Sequence, residues 1–388
     1  MMAADQLPIY DGLRVLDLSR ILAGPWLGQT LADLGADVVK IESPTGDDTR
    51  QWGPPFVDRP GADGEAEPRA TAAYFYACNR GKRSVVADFR NPEDLTAVQR
   101  LAGRADVIIE NYKVGGLAKF GLDYASVAAA NPGVVYASIT GFGQDGPRAE
   151  QPGYDLLIQG MSGIMDITGD AGGEPQKMGV AFGDIFTGLY GVIGVQAALA
   201  ERQKTGRGQQ IDLALFDAMS AVLANQALNF MVSGTAPSRK GNRHPNLVPY
   251  EVFACADGHL IIATGNDRQF AAMCTVLGLH DLPEDPAYAS NAARIENVEA
   301  LAGKINAAAS WFRRAELIDQ LLVAGVPAGP INTIAQAQAD PQFQHRSVAI
   351  EPEGVPGLRT PLNFSESPLR VTKTAPALGA STFDDLDW

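Results

Sequence analysis

The stretch of residues 176–208, QKMGVAFGDIFTGLYGVIGVQAALAERQKTGRG, constrains the fold more strongly than any other part of the chain. Its central segment, Ile185 to Glu201, is apolar and places small residues such as Gly188 and Gly191 between larger side chains. This pattern predicts a buried helix that packs closely against its neighbours. The charged residues and glycines that follow should end the helix.

One carboxylate stands close to the start of this helix. Asp184 directly follows Gly183, and the residues before them, Val180 to Phe182, are apolar. An acidic residue at this position can simply cap the helix by accepting a backbone N–H. A desolvated carboxylate that a ligand can approach closely beside a glycine can instead act as a nucleophile. Position alone leaves both roles open.

The composition is typical of a globular protein with more than one domain. The chain has 388 residues, of which 46% are hydrophobic and 20% are charged, so two domains with ample cores are expected. The formal net charge of −14 argues against nucleic acid or an anionic membrane as a partner. A phosphate-bearing ligand would therefore need a local basic pocket.

Several classes of protein are excluded by what the sequence lacks. It shows no long uncharged apolar run typical of a membrane helix, and its N-terminus has no basic region followed by an apolar core. The three cysteines are too few and too scattered for a disulfide framework, which favours reduced thiols in a cytoplasmic protein. The four histidines have no metal-ligand spacing, so no bound metal is expected.

The first part of the chain has the pattern of a parallel sheet. Strands predicted at Leu13–Leu18 and Val38–Ile41 flank a helix, which makes a βαβ unit, and further strands follow at 105–110, 134–140 and 210–215. The turn after the first strand, residues 22–25, is LAGP and not G-x-G-x-x-G. Because its proline has no N–H to offer a pyrophosphate, a nicotinamide cofactor is not expected.

Polar residues in the loops after these strands are candidates for binding. Asn111-Tyr112-Lys113 follow the strand at 105–110, and ligands of doubly wound sheets bind beyond the carboxyl ends of strands. Residues 79–90, NRGKRSVVADFR, carry a basic cluster of Arg80, Lys82 and Arg83. This cluster is either ordinary solvated charge or a phosphate-facing edge.

The composition changes after residue 230, close to the domain boundary that we predict at residue 222. The polar, proline-rich residues 231–250 suit a linker, and a hairpin at Glu251–Thr264 followed by helices predicts a small α+β domain at 223–325. The tail, 326–388, is too short for its own core and should rejoin the first domain, 1–222. The expected fold is α/β, with a large Rossmann-like parallel-sheet domain built from both chain ends and a smaller α+β domain.

Eight collinear segments carry a resemblance to a known family: DGLRVLDLSRILAGP, LADLGADVVKIE, NRGKRSV, ADVIIENYKVGGL, SITGFGQDGP, PGYD, GDIFTGLYG and KTGRGQQIDLALFDA. Together they resemble the class III coenzyme A transferases, which include formyl-CoA and carnitine CoA-transferases and, as divergent members, α-methylacyl-CoA racemases. GDDTRQWGPPF and HPNLVPYEVFACADGHLIIATGNDRQF look most like the branch that moves CoA among succinate, glutarate and hydroxymethylglutarate. The likeness covers nearly the whole chain.

This resemblance implies roles for individual residues. Asp184 matches the nucleophilic aspartate of the family, and the chain is expected to form an interlocked homodimer. The positions that match CoA contacts are Leu22, Ala23, Ala87, Asp88, Phe89, Arg90, Asn111, Tyr112, Lys113, Lys119, Tyr154 and Asp155. The candidates for the substrate site, where a distal carboxylate would be held, are Arg50, Trp52, His244 and Asn246.

A charge argument adds one residue to the CoA site, and the family pattern shows three departures. In so acidic a protein Lys82, with Arg90, Lys113 and Lys119, is expected to face the nucleotide. The arginine that the family has after KIE is Ser43 here, and the glutamine of formyl-CoA transferase is Leu22. Residues 241–250, GNRHPNLVPY, replace the mobile tetraglycine loop, which argues against formate as the acceptor.

The implied chemistry needs neither ATP nor metal, because CoA exchange between two carboxylic acids is close to thermoneutral. Asp184 would attack the acyl-CoA thioester, and aspartyl anhydride and aspartyl-CoA intermediates would follow. Two alternatives are a racemase and a non-catalytic CoA-binding regulator. Family racemases carry histidine where this chain has Tyr154, and a tyrosine, with an ordinary pKa of about 10, is a poor base. A regulator would have no need of Asp184.

Overall fold

Strands and helices alternate through the first part of the chain in the computed structural model, which describes residues 7–57 and 70–388. The elements up to residue 235 are β1 (Arg14–Asp17), α1 (Ala23–Asp33), β2 (Asp37–Glu42), β3 (Phe56–Val57), β4 (Thr71–Ala72), α2 (Ala73–Tyr76), β5 (Arg83–Val86), α3 (Pro92–Ala102), β6 (Val107–Glu110), α4 (Tyr124–Ala130), β7 (Val135–Thr140), α5 (Asp155–Ser162), α6 (Ile164–Ile167), α7 (Phe182–Thr205), β8 (Gln210–Ala214), α8 (Leu215–Ala221) and α9 (Ala224–Ser233). The later elements are β9 (Tyr250–Cys255), β10 (Gly258–Ala263), α10 (Asp267–Val276), α11 (Asn291–Glu296), α12 (Val298–Ala309), α13 (Arg314–Val323), β11 (Ala328–Pro330), α14 (Ile334–Gln338), α15 (Pro341–His345), β12 (Ala349–Ile350) and β13 (Gly357–Leu358).

The described residues divide into two units. The first contains the chain up to Ile164, Lys177–Thr235 and Pro341–Trp388, and the second contains Met165–Gln176 and Ala236–Asp340. The C-terminal segment therefore lies in the same unit as the N-terminal strands. The domain limits suggested by the sequence, at residues 222 and 325, stay a prediction.

Six parallel strands form the central sheet of the first unit, in the order β5-β2-β1-β6-β7-β8. The parallel α/β sheet expected from the sequence is thus confirmed. The strands β1, β6 and β7 are almost fully buried, as strands covered by helices on both faces must be. The strand order reverses between β1 and β6, so the loops that follow these two strands diverge and leave a crevice.

Helices cover both faces of this sheet. On one face, side chains of α1 and α7 such as Leu27 and Val195 form a buried cluster with Val15 and Val107. On the other face, α3 and α4 pack against the opposite side of the same strands, and Trp388 at the chain end joins that cluster. The two clusters hold the sheet between two layers of helices, so that the strand ends and the loops that follow them have a fixed position.

The second unit has a sheet of its own. β9 and β10 form an antiparallel hairpin in which Cys255 pairs with Gly258, and β11 adds to the other edge of β10. The hairpin predicted at Glu251–Thr264 is therefore confirmed. Helices α10, α12 and α13 cover the sheet around buried residues that include Phe253 and Leu301.

The predicted helix after Asp184 is α7, and a close contact with α1 defines its position. A Cβ built on Gly188 would lie 2.8 Å from the backbone oxygen of Ala23, and one built on Gly191 would overlap the Leu27 side chain. Only glycine at these positions lets the two helices approach so closely. The helix ends at Gly206, whose φ of +71° is the left-handed conformation of a helix C-terminus.

By length and composition α7 is apolar enough to cross a membrane, and the bent pair of α8 and α9 also reaches this composition. The expectation from the sequence concerned a long run without charges, and α7 does not contradict it, because the helix carries Asp184 in its first turn and further charges from Glu201 to Lys204 at its end. The same test is passed by core helices. Because α7 contributes Val192, Val195 and Leu199 to the core cluster, we assign it to the core of the first unit.

The glycine contact between α1 and α7 makes a testable prediction. Gly188→Ala should lower the free energy of unfolding by about 1–3 kcal/mol, because the added methyl group meets the backbone carbonyl of Ala23. The matched control is Gly303→Ala in α12, where a Cβ meets no described atom within 4 Å. That change should raise the free energy of unfolding by up to about 1 kcal/mol. Urea denaturation measures both, and a Gly188→Ala protein as stable as the parent would contradict the close approach.

Candidate active site

The crevice at the carboxyl edge of the sheet holds a cavity of about 430 Å³. Its walls come from the loops after β1, β6 and β7 and from the first residues of α1, α5 and α7. Residues distant along the chain meet here because the strand ends bring them to one edge of the sheet. Eight residues selected from the sequence line this one cavity: Ala23, Asn111, Tyr112, Lys113, Lys119, Tyr154, Asp155 and Asp184.

Asp184 is the third residue of α7, and the N-cap position belongs to Ala181. Its carboxylate accepts the backbone N–H of Ala23, which is the first residue of α1. The interpretation that Asp184 caps the helix in which it lies is therefore wrong. The carboxylate instead faces the amino end of a neighbouring helix, where the partial positive charge of the helix dipole favours an anion.

Burial, and after it the negative charge of Asp155, raise the pKa of Asp184 to about 7, and the hydrogen bond from Ala23 opposes both effects. The loss of hydration therefore outweighs the helix dipole and the backbone donor. At neutral pH a substantial part of the protein carries the ionised carboxylate. A carboxylate with few water molecules around it and an accessible cavity in front of it has the properties of a nucleophile.

The loop between β1 and α1 holds the Ala23 N–H in place, and it is strained. Ile21 has a φ of +71°, a conformation that a β-branched residue rarely adopts. Its N–H donates to the Asp47 carboxylate at 3.3 Å. The backbone N–H and carbonyl of Arg20 bond reciprocally with the Asn111 side chain, at 2.9 and 2.7 Å. Strain of this kind persists only where the surroundings fix the backbone, and it is typical of functional sites.

Buried ion pairs lie beneath this loop and correct one prediction. Lys82 was expected to face the nucleotide, yet its side chain is fully buried and its Nζ contacts the Asp17 carboxylate at 2.8 Å. Arg80 is buried against Asp33 in the same way, at 2.5 Å. These two residues of the cluster are neither solvated charge nor a phosphate-facing edge, because carboxylates distant in sequence neutralise them inside the fold.

Arg50 and Trp52, two candidates for the substrate site, lie in different environments. The Arg50 guanidinium makes two hydrogen bonds with Glu42, at 2.8 and 2.7 Å, and stacks over the Phe75 ring. Glu42 therefore occupies the Nε–Nη2 edge of the guanidinium, which is the edge that a substrate carboxylate would use for a paired contact. Trp52 is 46% exposed and meets the Tyr74 ring edge-on.

Tyr74 connects the Trp52 region to the nucleophile. Burial raises the pKa of Tyr74 to about 12, and the negative charge of Asp184 is the next cause of the increase. Tyr74 is therefore close enough to Asp184 for the charge of the carboxylate to affect its hydroxyl group. Trp52 contacts Tyr74 but is not part of the cavity lining, and its role at the substrate site stays a prediction. Arg50, in contrast, is held inside the fold by Glu42.

The remaining candidates of the first unit lie outside the cavity lining. Leu22 and Ala87 are buried. Asp88 and Arg90 form an ion pair with each other at 2.7 Å, in which the arginine is exposed. The Phe89 ring stacks on Tyr112, a cavity residue, and so supports the wall from behind.

His244 and Asn246 belong to the second unit, where the histidine organises its own loop. The Nδ1 of His244 accepts the backbone N–H groups of Asn246 and Leu247, both at 3.0 Å. The imidazole ring lies against Tyr250. Of the long loop expected at 44–70, residues 58–69 lie outside the described part of the chain.

Reasoning from the sequence missed two residues at or beside the site. Arg20 lines the cavity, and Glu110 ends β6 directly before the Asn111-Tyr112-Lys113 loop. Burial raises the pKa of Glu110 to about 7, while the Ser138 side chain and the Tyr112 N–H oppose the shift. The signal for both was available, because each is the charged residue at or just after the carboxyl end of an apolar strand.

Within residues 7–57 and 70–388, no group of three or more His, Cys, Asp or Glu side chains is arranged to hold a metal ion. The cavity is lined by cations such as Arg20 and Lys113, by backbone donors and by separate carboxylates. This arrangement is suited to an anionic ligand with an electrophilic carbon placed at Asp184.

Comparison with known proteins indicates which reaction the residues of this cavity can serve. Residues 10–382 match the model of a family described as CoA-transferase family III. The chain is 51% identical over 378 residues to the succinate–glutarate CoA-transferase of Agrobacterium fabrum, covering 96% of this chain and 93% of that protein. It is 36% identical to the succinyl-CoA:glutarate CoA-transferase of Mus musculus, covering 97% and 86%. A crystal structure of a CAIB/BAIF family protein from Brucella suis, 56% identical, matches with a TM-score of 0.87 over 97% of both chains.

The buried Glu110 makes stability depend on pH. Its pKa is about 7 in the folded chain and 4.5 as an ordinary glutamate, so the folded state holds more protons between these values and loses stability as pH rises through them. The loss amounts to about 3 kcal/mol. Glu110→Gln should remove it, so that the variant gains stability over the parent at pH 8 but not at pH 4.5. Urea denaturation at both pH values measures this, with Glu284→Gln at an exposed position as control; equal gains at both pH values would refute it.

Proposed function

Because the chain belongs to CoA-transferase family III, we propose that it moves coenzyme A from succinyl-CoA, or a similar dicarboxylyl-CoA, to a free dicarboxylic acid such as glutarate. The chain is an enzyme, a CoA-transferase, and the class III resemblance of its sequence is confirmed. Two relatives whose names contain succinate or succinyl-CoA and glutarate support the dicarboxylate class. The observation that carries the proposal is the desolvated Asp184 carboxylate facing the cavity.

The first half of the reaction loads CoA onto the enzyme. A carboxylate oxygen of Asp184 attacks the thioester carbonyl, the C–S bond breaks, and CoA leaves as a thiolate while an aspartyl–acyl anhydride forms. The thiolate then attacks the aspartyl carbonyl of the anhydride. The donor acid leaves as its carboxylate, and an aspartyl-CoA thioester remains.

The second half transfers CoA to the acceptor. The acceptor carboxylate attacks the aspartyl-CoA carbonyl and releases the thiolate, which gives a second anhydride. The thiolate attacks the acyl carbonyl of this anhydride, forms the new acyl-CoA and restores Asp184. Water would hydrolyse each intermediate, so apolar residues around Asp184, with Phe182 and Leu215 among them, serve the reaction.

The cavity offers groups for each part of an acyl-CoA. Arg20, Lys113 and Lys119 supply positive charge at its walls, which suits the phosphates in a protein of net charge −14. The helices α1 and α5 begin at the same space, where the positive end of each helix dipole can stabilise an oxyanion. These features favour a transferase over a regulator, since a regulator has no use for a buried carboxylate beside the thioester.

We also propose that the first unit acts as a Rossmann-like domain. Numbered along the chain without the short pair β3 and β4, the six strands lie in the order 3-2-1-4-5-6. This is the arrangement of doubly wound sheets that bind nucleotides. A CoA nucleotide at the crevice between β1 and β6 fits this arrangement.

A homodimer is the assembly that we propose for the chain, as the family resemblance implies. On α9 four large apolar side chains are at least half exposed: Leu228 55%, Phe230 50%, Met231 73% and Val232 84%. Exposed apolar groups that lie so close together favour an interface. Sedimentation velocity at micromolar concentration should give a dimer, and a stable monomer would refute the proposal.

Asp184→Asn should abolish transfer and leave the fold intact. The amide is a very weak nucleophile, and it also removes the cost of burying a charge, so stability at pH 8 should be equal or higher. In the parent, kcat/KM should rise with pH through about 7, because only the ionised carboxylate attacks. Hydroxylamine added during turnover should leave a hydroxamate on Asp184, which peptide mass spectrometry locates.

The same assay contains its controls. Asp145→Asn, which neutralises an exposed carboxylate on the loop after β7, should transfer CoA like the parent. The double variant Lys113→Ala with Lys119→Ala should raise KM for the thioester and weaken its salt dependence. A folded Asp184→Asn protein that transfers CoA at a near-parent rate would end the nucleophile assignment.

A further inference from the structure

Asp155 makes contacts that its assignment as a CoA contact does not explain. Its Oδ1 accepts the backbone N–H of Gly183 at 2.8 Å, and its Oδ2 accepts the Gln159 side-chain amide at 2.6 Å. The side-chain oxygen of Gln159, a residue that is 1% exposed, accepts the Met178 N–H at 2.9 Å. Two residues of α5 therefore hold both the segment that leads into α7 and the first turn of α7.

The first turn of α7 depends on this support from α5. Its N-cap residue is Ala181, whose side chain has no group able to accept a hydrogen bond. Asp155 supplies the missing acceptor at the residue directly before Asp184. Glycine at 183 is what allows the contact, since a Cβ there would lie 2.8 Å from the Asp155 oxygen.

We propose that Asp155 is a positioning residue for the nucleophile: by capping α7 through Gly183, and with Gln159 as its own partner, it directs the Asp184 carboxylate into the cavity. This inference rests on the proposed function of Asp184. It extends that function by giving Asp155, a further carboxylate of the cavity, a role other than attacking or binding the substrate.

A second consequence follows from charge. Asp155 is a negative neighbour of Asp184 and opposes its ionisation. Replacing Asp155 by a neutral residue should therefore move the acid limb of the kcat/KM profile to lower pH, by roughly one pH unit. The other charged or titratable groups around the nucleophile are Tyr74 of α2 and, on the cavity walls, Arg20, Tyr112, Lys113, Lys119, Glu150 and Tyr154.

The hydrogen bonds allow position and charge to be separated. In Asp155→Asn the side-chain oxygen can still accept the Gly183 N–H. The new NH2 group, however, faces the NH2 group of Gln159, so that two donors meet and this hydrogen bond is lost. The exchange variant, Asp155→Asn with Gln159→Glu, restores all three hydrogen bonds, because a carboxylate at position 159 accepts from both the new amide and Met178. It also keeps the net charge while moving it away from Gly183. Asp155→Ala removes the cap altogether.

Steady-state kinetics of the three variants with succinyl-CoA and glutarate, each checked for folding by circular dichroism, test the proposal. Asp155→Ala should lose kcat at least about tenfold with little change in KM for the thioester, and the exchange variant should recover most of it. The acid limb of the kcat/KM profile should move to lower pH by the full amount in Asp155→Ala and by part of it in the exchange variant. A raised KM with unchanged kcat and unchanged pH profile would make Asp155 a CoA contact and overturn the proposal.

The proposed function can fail independently of this inference. If Asp184 is not the nucleophile, Asp184→Asn stays active whatever the Asp155 variants do. If Asp184 is the nucleophile but Asp155 does not position it, hydroxamate still forms on Asp184 and the exchange variant fails to restore kcat. A loss in Asp155→Ala that the exchange variant does not repair would therefore overturn the positioning role alone.

Discussion

The close contact between α1 and α7 is the constraint on which the site depends. Glycines on one face of α7 let the backbone of α1 approach until the first N–H of one helix meets a carboxylate in the first turn of the other. Neither helix caps itself with a side chain. Asp184 serves the amino end of α1 and Asp155 serves that of α7, so the two helices and α5 are joined by carboxylates across their ends.

Opposing effects set the ionisation state of Asp184, and burial is the largest of them. Its position near two helix amino ends and the hydrogen bond from Ala23 favour the anion, while burial and the neighbouring negative charge favour the acid. Burial prevails, and the carboxylate titrates near neutral pH. A fully solvated aspartate would be ionised but hydrated, and a fully isolated one would stay protonated. The site lies between these limits, where a nucleophile is both available and poorly solvated.

Local patterns in the sequence were enough to predict much of the fold and part of the site. Helix periodicity located α7, apolar runs located the parallel strands, and strand ends located the loop at Asn111. Prediction failed for charges whose partners only the fold brings near: Lys82 pairs with Asp17, 65 positions away, and Arg50 with Glu42 inside the protein. The sequence of a basic cluster is the same whether its charges are solvated or paired with buried carboxylates. The cap that Asp155 provides was invisible for the same reason.

The fully buried ion pairs under the loop between β1 and α1 limit which substitutions the protein tolerates at these positions. Asp17 with Lys82 and Lys40 with Asp47 are fully buried, so losing one partner strands a charge in the interior, whereas replacing both together can be nearly neutral. Single substitutions are thus barred and paired ones allowed. In related proteins the two partners of each buried pair should therefore be retained together or replaced together. Residues of the exposed loops above them should vary independently of one another.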